Sequence, residues 1–393
     1  MAHFLRFFLA LAICSLSVIS CKPVESHSED AAALVDAQTR EALPAAETLT
    51  EDFFAKNAIG ISREMFSTRW KNSLLSPLVF FRSHVRAYYD ITKGVALPDS
   101  STGPCFGDAH VANFGFVDGK DNEARFLYND LDDSGVCPVM LDALRYFTSL
   151  RFLEKNDVVT KVLALYSSVL SGKEDSERIE KRFEPNFQKI RSKIMTKFSE
   201  NGKLIRKSGV LADVDSALAP QISSFVLKSL AIENETGSIL DIAAASGRGG
   251  GSYGLPRYWV LVKSNQEDII ELKETVEPAT AIGLWGQIVG NRLETLKKIF
   301  WGGDVAARVY REGSFLQKTF VIRSRVKASV DPEAYDPLDR EAIYEAQVSL
   351  MADLHKKSLA NLPESTTKGL AEWLEKESRG LAKLYEDVFK RSK

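Results

Sequence analysis

The stretch from residue 105 to 133, CFGDAHVANFGFVDGKDNEARFLYNDLDD, constrains this chain more than any other. It holds seven carboxylates, one histidine and three asparagines around three glycines. Two short apolar runs, around 107–115 and 124–129, read as strands joined by an Asp118-Gly119 turn. The second run delivers Asn129, Asp130, Asp132 and Asp133 at its end. A mostly buried helix over 141–155 (LDALRYFTSLRFLEK) follows at once. Hairpin, acidic turn and apolar helix in that order predict a mixed α+β fold. Polar groups then gather at strand ends, where binding and catalysis concentrate.

With 393 residues and 45% hydrophobic content, the chain can build one large domain or two smaller ones. A formal charge of −2 and no long single-sign run argue against a nucleic-acid partner. At the N-terminus, Arg6 precedes FFLALAICSLSVI, an apolar run too short to span a bilayer comfortably. The run closes on Val18-Ile19-Ser20-Cys21, which resembles a bacterial lipobox. Residues 1–20 are thus expected to be a lipoprotein signal peptide, with Cys21 lipidated and anchoring the chain to a membrane. Lys22 after the cysteine resembles the outer-membrane rather than the inner-membrane pattern. The expected location is the cell envelope, facing the periplasm. Residues 21–47 are polar and Ala-rich and read as a tether. Cys105 and Cys137 flank the acidic cluster. They read as small buried apolar residues, and their pairing stays open.

Aromatics become dense from about Leu49. Ser76-Pro77 opens an expected helix over 77–92 (PLVFFRSHVRAYYDIT). Two polar helices are expected within 158–207. Over 238–275 the pattern becomes strand, glycine turn, strand, polar turn, strand. A helix over 279–300, strands within 308–329 and two C-terminal helices follow. The first C-terminal helix covers 341–359, and the second carries Leu370, Leu374, Leu381, Leu384 and Val388 as a core stripe.

Three constellations carry chemistry. Asp108 and Asn113 stand five residues apart, the layout of a kinase-type catalytic loop. The Asp orients or deprotonates a hydroxyl and the Asn oxygen binds a metal; an Asx turn is the plain alternative. Asp130 and Asp132 close a strand and suit Mg²⁺ or Mn²⁺, hard cations that take oxygen ligands. A solvated acidic turn is the alternative there. Gly249, Gly251, Ser252 and Gly254 form a glycine loop. Pro256 and the β-rich run after it exclude a dinucleotide-binding helix. Lys273 on the third strand falls where a kinase-type glycine loop places its phosphate-binding lysine. A flexible hairpin with an exposed lysine is the alternative. His110 reads as a hydrogen-bonding brace, and His84 and His355 as structural histidines on helices. The absence of CxxC or HExxH spacing argues against zinc.

SPLVFFRSHVRAYY, CFGDAHVANFGF, FLYNDLDDSGVCPVMLDALRYFTSL, GRGGGSYGLPRYWVLV and ELKE resemble, in order, an uncharacterised bacterial family, domain of unknown function 2252. The resemblance runs over roughly residues 60–360. The chain departs from it at Phe106, where a glycine is usual after the cysteine, and at Arg82-Ser83, where Arg-Gly is favoured. The same motifs resemble those of aminoglycoside phosphotransferases and kinases in rotated order. That resemblance implies a circularly permuted, protein-kinase-like two-lobe fold of class α+β. A larger helical lobe would comprise 48–235 and 335–393, and a small antiparallel β lobe 236–334. It also implies that Asp108 is catalytic, that Asn113, Asp130 and Asp132 are metal ligands, and that Asp142 braces the catalytic loop. No glutamate partner for Lys273 is evident; Glu294 is the nearest candidate.

These features predict a Mg²⁺-dependent phosphotransferase using ATP or another phosphorylated donor, with an acceptor the sequence does not name. A non-catalytic ligand- or partner-binding lipoprotein and a metal-dependent phosphoesterase are the competing expectations.

Overall fold

The computed structural model describes residues 43–118, 124–176, 178–232, 236–246, 251–288, 290–302, 310–359 and 364–393. The signal segment, Cys21 and the tether up to residue 42 lie outside the described residues, as does the Asp118-Gly119 turn beyond Asp118. Residues 40–393 form one unit. The architecture is mixed α+β, and its sheets are antiparallel.

Four short helices open the described chain: α1 (Glu51–Lys56), α2 (Arg63–Ser73), α3 (Pro77–Ser83) and α4 (Val85–Thr92). Thr50, Ser62 and Ser76 cap the first three through their hydroxyls, and Pro77 starts α3 where its missing N–H costs nothing. The single helix expected over 77–92 is broken at His84 (φ −128°, ψ 50°). The break turns the imidazole inward among Phe54, Phe66, Trp70 and Phe80, with ring centroids 4.9–6.2 Å away.

Strands β1 (Thr102–Cys105) and β4 (Gly135–Pro138) pair antiparallel. Their register sets Cys105 opposite Gly135 and Cys137 opposite Gly103, and the two cysteines are joined as a disulfide with Cα atoms 5.8 Å apart. The pairing that the sequence leaves open is thus a disulfide, where the two cysteines read as small buried apolar residues. Between them run β2 (Phe114–Asp118) and β3 (Ala124–Tyr128), a hairpin extended by β13 (Ala328–Ser329). The first expected strand is shorter than 107–115, because residues 107–113 form a loop that starts at Gly107 with φ 78°.

Helix α5 (Val139–Arg151) is the centre of the helical part, buried from Val139 to Leu150. Around it pack α6 (Asn156–Ser171), α10 (Pro337–Ser358) and α11 (Glu364–Ser392). A helix buried all round needs apolar neighbours on every side, and the leucine stripe of α11 supplies one of them.

The large sheet has β7 (Leu211–Asp213), β8 (Ser238–Ala245), β9 (Arg257–Lys263), β10 (Glu267–Thr275), β11 (Tyr310–Phe315) and β12 (Lys318–Ser324), in the order β11-β12-β10-β9-β8-β7. Strand alternation sends Ile270 and Leu272 to one face, under α8 (Ala219–Ile232). Ile269, Glu271 and Lys273 go to the other. There α7 (Phe187–Phe198) and the small hairpin of β5 (Ser199–Glu200) and β6 (Lys203–Leu204) cover one end. The rest of that face opens on a cleft. The helix expected over 279–300 splits into a 3₁₀ turn (Ala279–Gly283) and α9 (Arg292–Trp301), with Leu284, Gly286 and Gly290 at positive φ between them.

Candidate functional site

A cavity of about 660 Å³ lies between the large sheet, α2 to α4, the 107–113 loop and the acidic segment after β3. Asp108, His110, Asn113, Asp130, Asp132, Gly251, Ser252 and Lys273 all line it. Two halves of the candidate site that lie far apart in sequence therefore share one cleft.

The 107–113 loop is held from below. Asp142 at the start of α5 accepts the N–H of Phe106 (2.7 Å) and of Gly107 (3.0 Å), and His355 Nε2 lies 3.4 Å from the same carboxylate. Asp142 thus ties down the start of the loop through both of its oxygens. Asp108 points up into the cleft. Its Oδ1 accepts from Arg145 Nε (2.9 Å) and Nη2, and its Oδ2 faces His110 Nε2 at 3.5 Å. Burial opposes the charge, but Arg145 and then His110 outweigh it and hold the carboxyl well below the usual carboxylate range. Asn113 donates from Nδ2 to the Asp108 carbonyl at 3.1 Å and to Oδ2 at 3.4 Å, which fixes the loop closed on itself. His110 Nδ1 accepts the Ala112 N–H at 3.2 Å. Burial, helped by the charge of Arg82, pushes its pKa down to about 4, so the ring is a neutral brace at physiological pH.

The acidic segment is pinned from the far side. Tyr310 Oη receives the Leu131 N–H at 3.1 Å, and Arg292 Nη1 donates to the carbonyls of Leu131 (3.1 Å) and Ser134 (2.7 Å). Asp132 Oδ2 accepts from Lys273 Nζ. Asp130 Oδ1 stands 3.6 Å from Arg323 Nη1, outside hydrogen-bond distance. Burial raises the Asp130 pKa, but Lys273 and Arg323 overcome it and keep the group ionised. Asp133 behaves differently. Burial first, then the charge of Asp108, pushes it up to about 6, although Ala279 N–H donates to its Oδ1 at 2.9 Å.

The fit of a divalent cation is decided by the oxygens left over. Asp130 Oδ1 and Asp132 Oδ1 are both buried with no hydrogen-bond donor. Buried acceptors without donors are costly, and a cation relieves them. Among the described residues no group of three or more His, Cys, Asp or Glu side chains converges on one point. A cation here would lean on Asp130, Asp132 and Asn113 and complete its shell with water and ligand oxygens, the habit of Mg²⁺.

On the sheet side, Gly251 and Ser252 line the cleft, and Ser252 Oγ accepts from Arg257 Nη2 at 3.0 Å. Gly249 lies outside the described residues. Gly254 is placed differently from the expectation: at φ 93° it turns the chain against Ile61 and Met65 rather than lining the cavity. Lys273 is buried, and its partner is Asp132, not a glutamate. Glu294 is excluded as that partner because it pairs with Lys297 on its own helix at 3.2 Å.

Several participants escaped sequence reasoning. Glu271 is fully buried and receives Arg323 Nε (2.9 Å), Arg325 Nη1 (2.8 Å) and Arg257 Nη1 (3.2 Å). Those arginines hold it well below the usual carboxylate range despite its burial. It sits two residues before Lys273 on the same strand face, and that periodicity was the one available signal. Arg145, fully buried between the rings of Phe81 and Tyr88, and Arg82 on α3 looked like ordinary helix residues.

No curated protein and no solved structure matches the chain. A family model does match, over residues 62–164, a segment running from the cap of α2 into α6. That stretch carries the Asp108 loop, the acidic segment and Asp142, whereas the glycine loop and Lys273 lie beyond it. Over residues 62–164 the chain matches domain of unknown function 2252, described as an uncharacterized protein conserved in bacteria, which is the family its motifs resemble.

Proposed function

We propose that the cleft is a Mg²⁺- or Mn²⁺-dependent phosphotransferase site in a circularly permuted kinase-like fold. The observation that carries the reading is the meeting of Lys273 with Asp132. It joins a glycine-loop strand to an acidic strand end across 141 residues of chain, with Asp108 in the same cavity. Lys273, Arg257 and Ser252 would grip the phosphates of ATP or another phosphorylated donor. Asn113, Asp130 and Asp132 would hold the cation, which when bound neutralises charge on the transferring group. Asp108 Oδ2 orients the acceptor hydroxyl, while Arg145 fixes Oδ1 and keeps the carboxylate charged. As the acceptor O–P bond forms and the donor P–O bond breaks, the hydroxyl proton leaves by Oδ2 to solvent.

Calorimetry on the full-length chain in detergent tests this directly. ATP binding that needs Mg²⁺ and weakens at least tenfold in Asp130→Asn is the expected result. No binding of ATP, ADP or pyrophosphate with Mg²⁺ present sinks the reading.

The lipid anchor on Cys21 and an outer-membrane location facing the periplasm are part of the proposal. The disulfide between Cys105 and Cys137 supports them, because such bonds persist in oxidising compartments. Incorporation of a labelled fatty acid, lost in Cys21→Ser, is the check. A non-catalytic ligand-binding role for the same cleft draws support from Lys273, which is tied to a carboxylate of the proposed metal site. Under that reading Asp108→Asn keeps both ligand binding and biological function.

A further inference from the structure

Arg82 projects from α3 into the cleft beside the catalytic candidate. Its Nε stands 3.2 Å from His110 Nε2, and that nitrogen is 3.5 Å from Asp108 Oδ2. Asp108 is already held through Oδ1 by Arg145, so it does not complete an ion pair with Arg82. Among the described residues the two Nη atoms of Arg82 make no hydrogen bond and no ion pair. Asp331 and Glu333 also attract Arg82, but both are exposed and water screens them. On the same wall Arg69 is 5% exposed. It gives Nη2 to the Tyr253 carbonyl at 3.1 Å and leaves Nε buried without a partner.

Neither arginine belongs to the proposed metal site or to the donor grip, which sits on the sheet with Lys273 and Arg257. Arg82 is half-buried and lines the cleft; a guanidinium partly out of water without an anion is costly, and its fork fits the oxygens of a phosphate or carboxylate. Its place next to Asp108 is where an acceptor hydroxyl must lie. We propose that the acceptor is an alcohol carrying its own phosphate or carboxylate group, bound by Arg82 with Arg69 behind it. This inference rests on the phosphotransferase reading and names its second substrate. With the anionic group on Arg82, the hydroxyl a few bonds away falls at Asp108 Oδ2, so one contact selects the substrate and aims it.

The test uses the full-length chain without metal or nucleotide, with glycerol 3-phosphate as probe and glycerol as its neutral counterpart. Glycerol 3-phosphate should bind and glycerol should not. Arg82→Gln should weaken binding at least tenfold and Arg82→Lys less. Lys161→Ala, an exposed residue of α6 away from the cleft, should leave it within about twofold. Thermal unfolding of each variant checks that the fold is intact. Equal binding of glycerol, no effect of Arg82→Gln in a folded variant, or equal loss in Lys161→Ala overturns the inference. Loss of Mg²⁺-dependent ATP binding with glycerol 3-phosphate binding retained defeats the phosphotransferase reading but leaves the anion subsite standing.

Discussion

Lys273 Nζ donates to Asp132 Oδ2 between two segments that share no local sequence, and both side chains are nearly out of water, 8% and 12% exposed. Removing one partner strands the other charge in the cleft. Lys273→Met should therefore destabilise the fold by about 3 kcal/mol, read from denaturant unfolding. Adding Asp132→Asn removes the stranded carboxylate and should recover most of that loss. Non-recovery in the double variant would mean that Lys273 is anchored chiefly by packing. Under the proposed phosphotransferase function, nucleotide binding should be lost in both the single and the double variant, which separates the stability role of the pair from its proposed binding role.

Asp142 offers a second handle. It is fully buried, and each of its oxygens takes one backbone N–H at the mouth of the Asp108 loop. In Asp142→Asn one oxygen survives, but the new amide nitrogen meets a second N–H as donor against donor. The expected cost is about 2 kcal/mol. Hydrogen exchange should speed up at Phe106 and Gly107 more than at helix α5. Uniform acceleration across the domain would point to a general loss of stability instead of loosening of the loop.

What the sequence made legible follows from how local each signal is. The three strands over 238–275 could be read because alternation and turn residues lie within each segment. Asp108, Asn113 and Asp142 could be placed because the whole loop and its brace fall within 35 residues of one another. The break at His84 was invisible, since the aromatic cage that draws the ring inward is assembled from three helices. Lys273 could be paired only from the folded chain, and Glu294 was set aside because Lys297 captures it one helical turn away. Glu271 reads as a charged strand residue until β9, β12 and the residue just past β12 bring Arg257, Arg323 and Arg325 to it. The disulfide needed the β1/β4 register, which no spacing rule supplies.

The bond between Cys105 and Cys137 closes a loop of 32 residues around the β2/β3 hairpin and the acidic segment. Cross-linking a loop of that length removes unfolded-state freedom worth about 3–4 kcal/mol in the chain-entropy picture. Reductant should lower the unfolding midpoint, and Cys105→Ala/Cys137→Ala should show the same lowered midpoint with no further response to reductant. An unchanged midpoint on reduction would remove the bond from the stability of the fold.

Two buried histidines set the pH response. Burial, with Arg69 and Arg145 adding repulsion, pushes His84 down to about 3, and burial with Arg82 pushes His110 down to about 4. The unfolded chain protonates both from about pH 6.5 downward while the fold refuses the proton, so stability falls as pH drops from about 6.5 toward 4. Asp133 acts with the opposite sign. Its folded value of about 6 lies above the unfolded value near 3.9, so its contribution is complete in acid and is lost as pH rises through 6. Two groups outweigh one, and denaturant midpoints should be lower at about pH 5 than at about pH 8. His84→Phe keeps the ring volume inside the aromatic cage and gives up the contact with Ser73 Oγ at 3.3 Å, a loss that is the same at every pH. It should flatten the acid decline. Asp133→Asn keeps an acceptor for Ala279 N–H and removes a charge that the cleft disfavours. It should stabilise by up to about 2 kcal/mol at pH 8, with little effect at about pH 4, and so steepen the decline. Parallel profiles for wild type and both variants would show that none of the three groups controls the response.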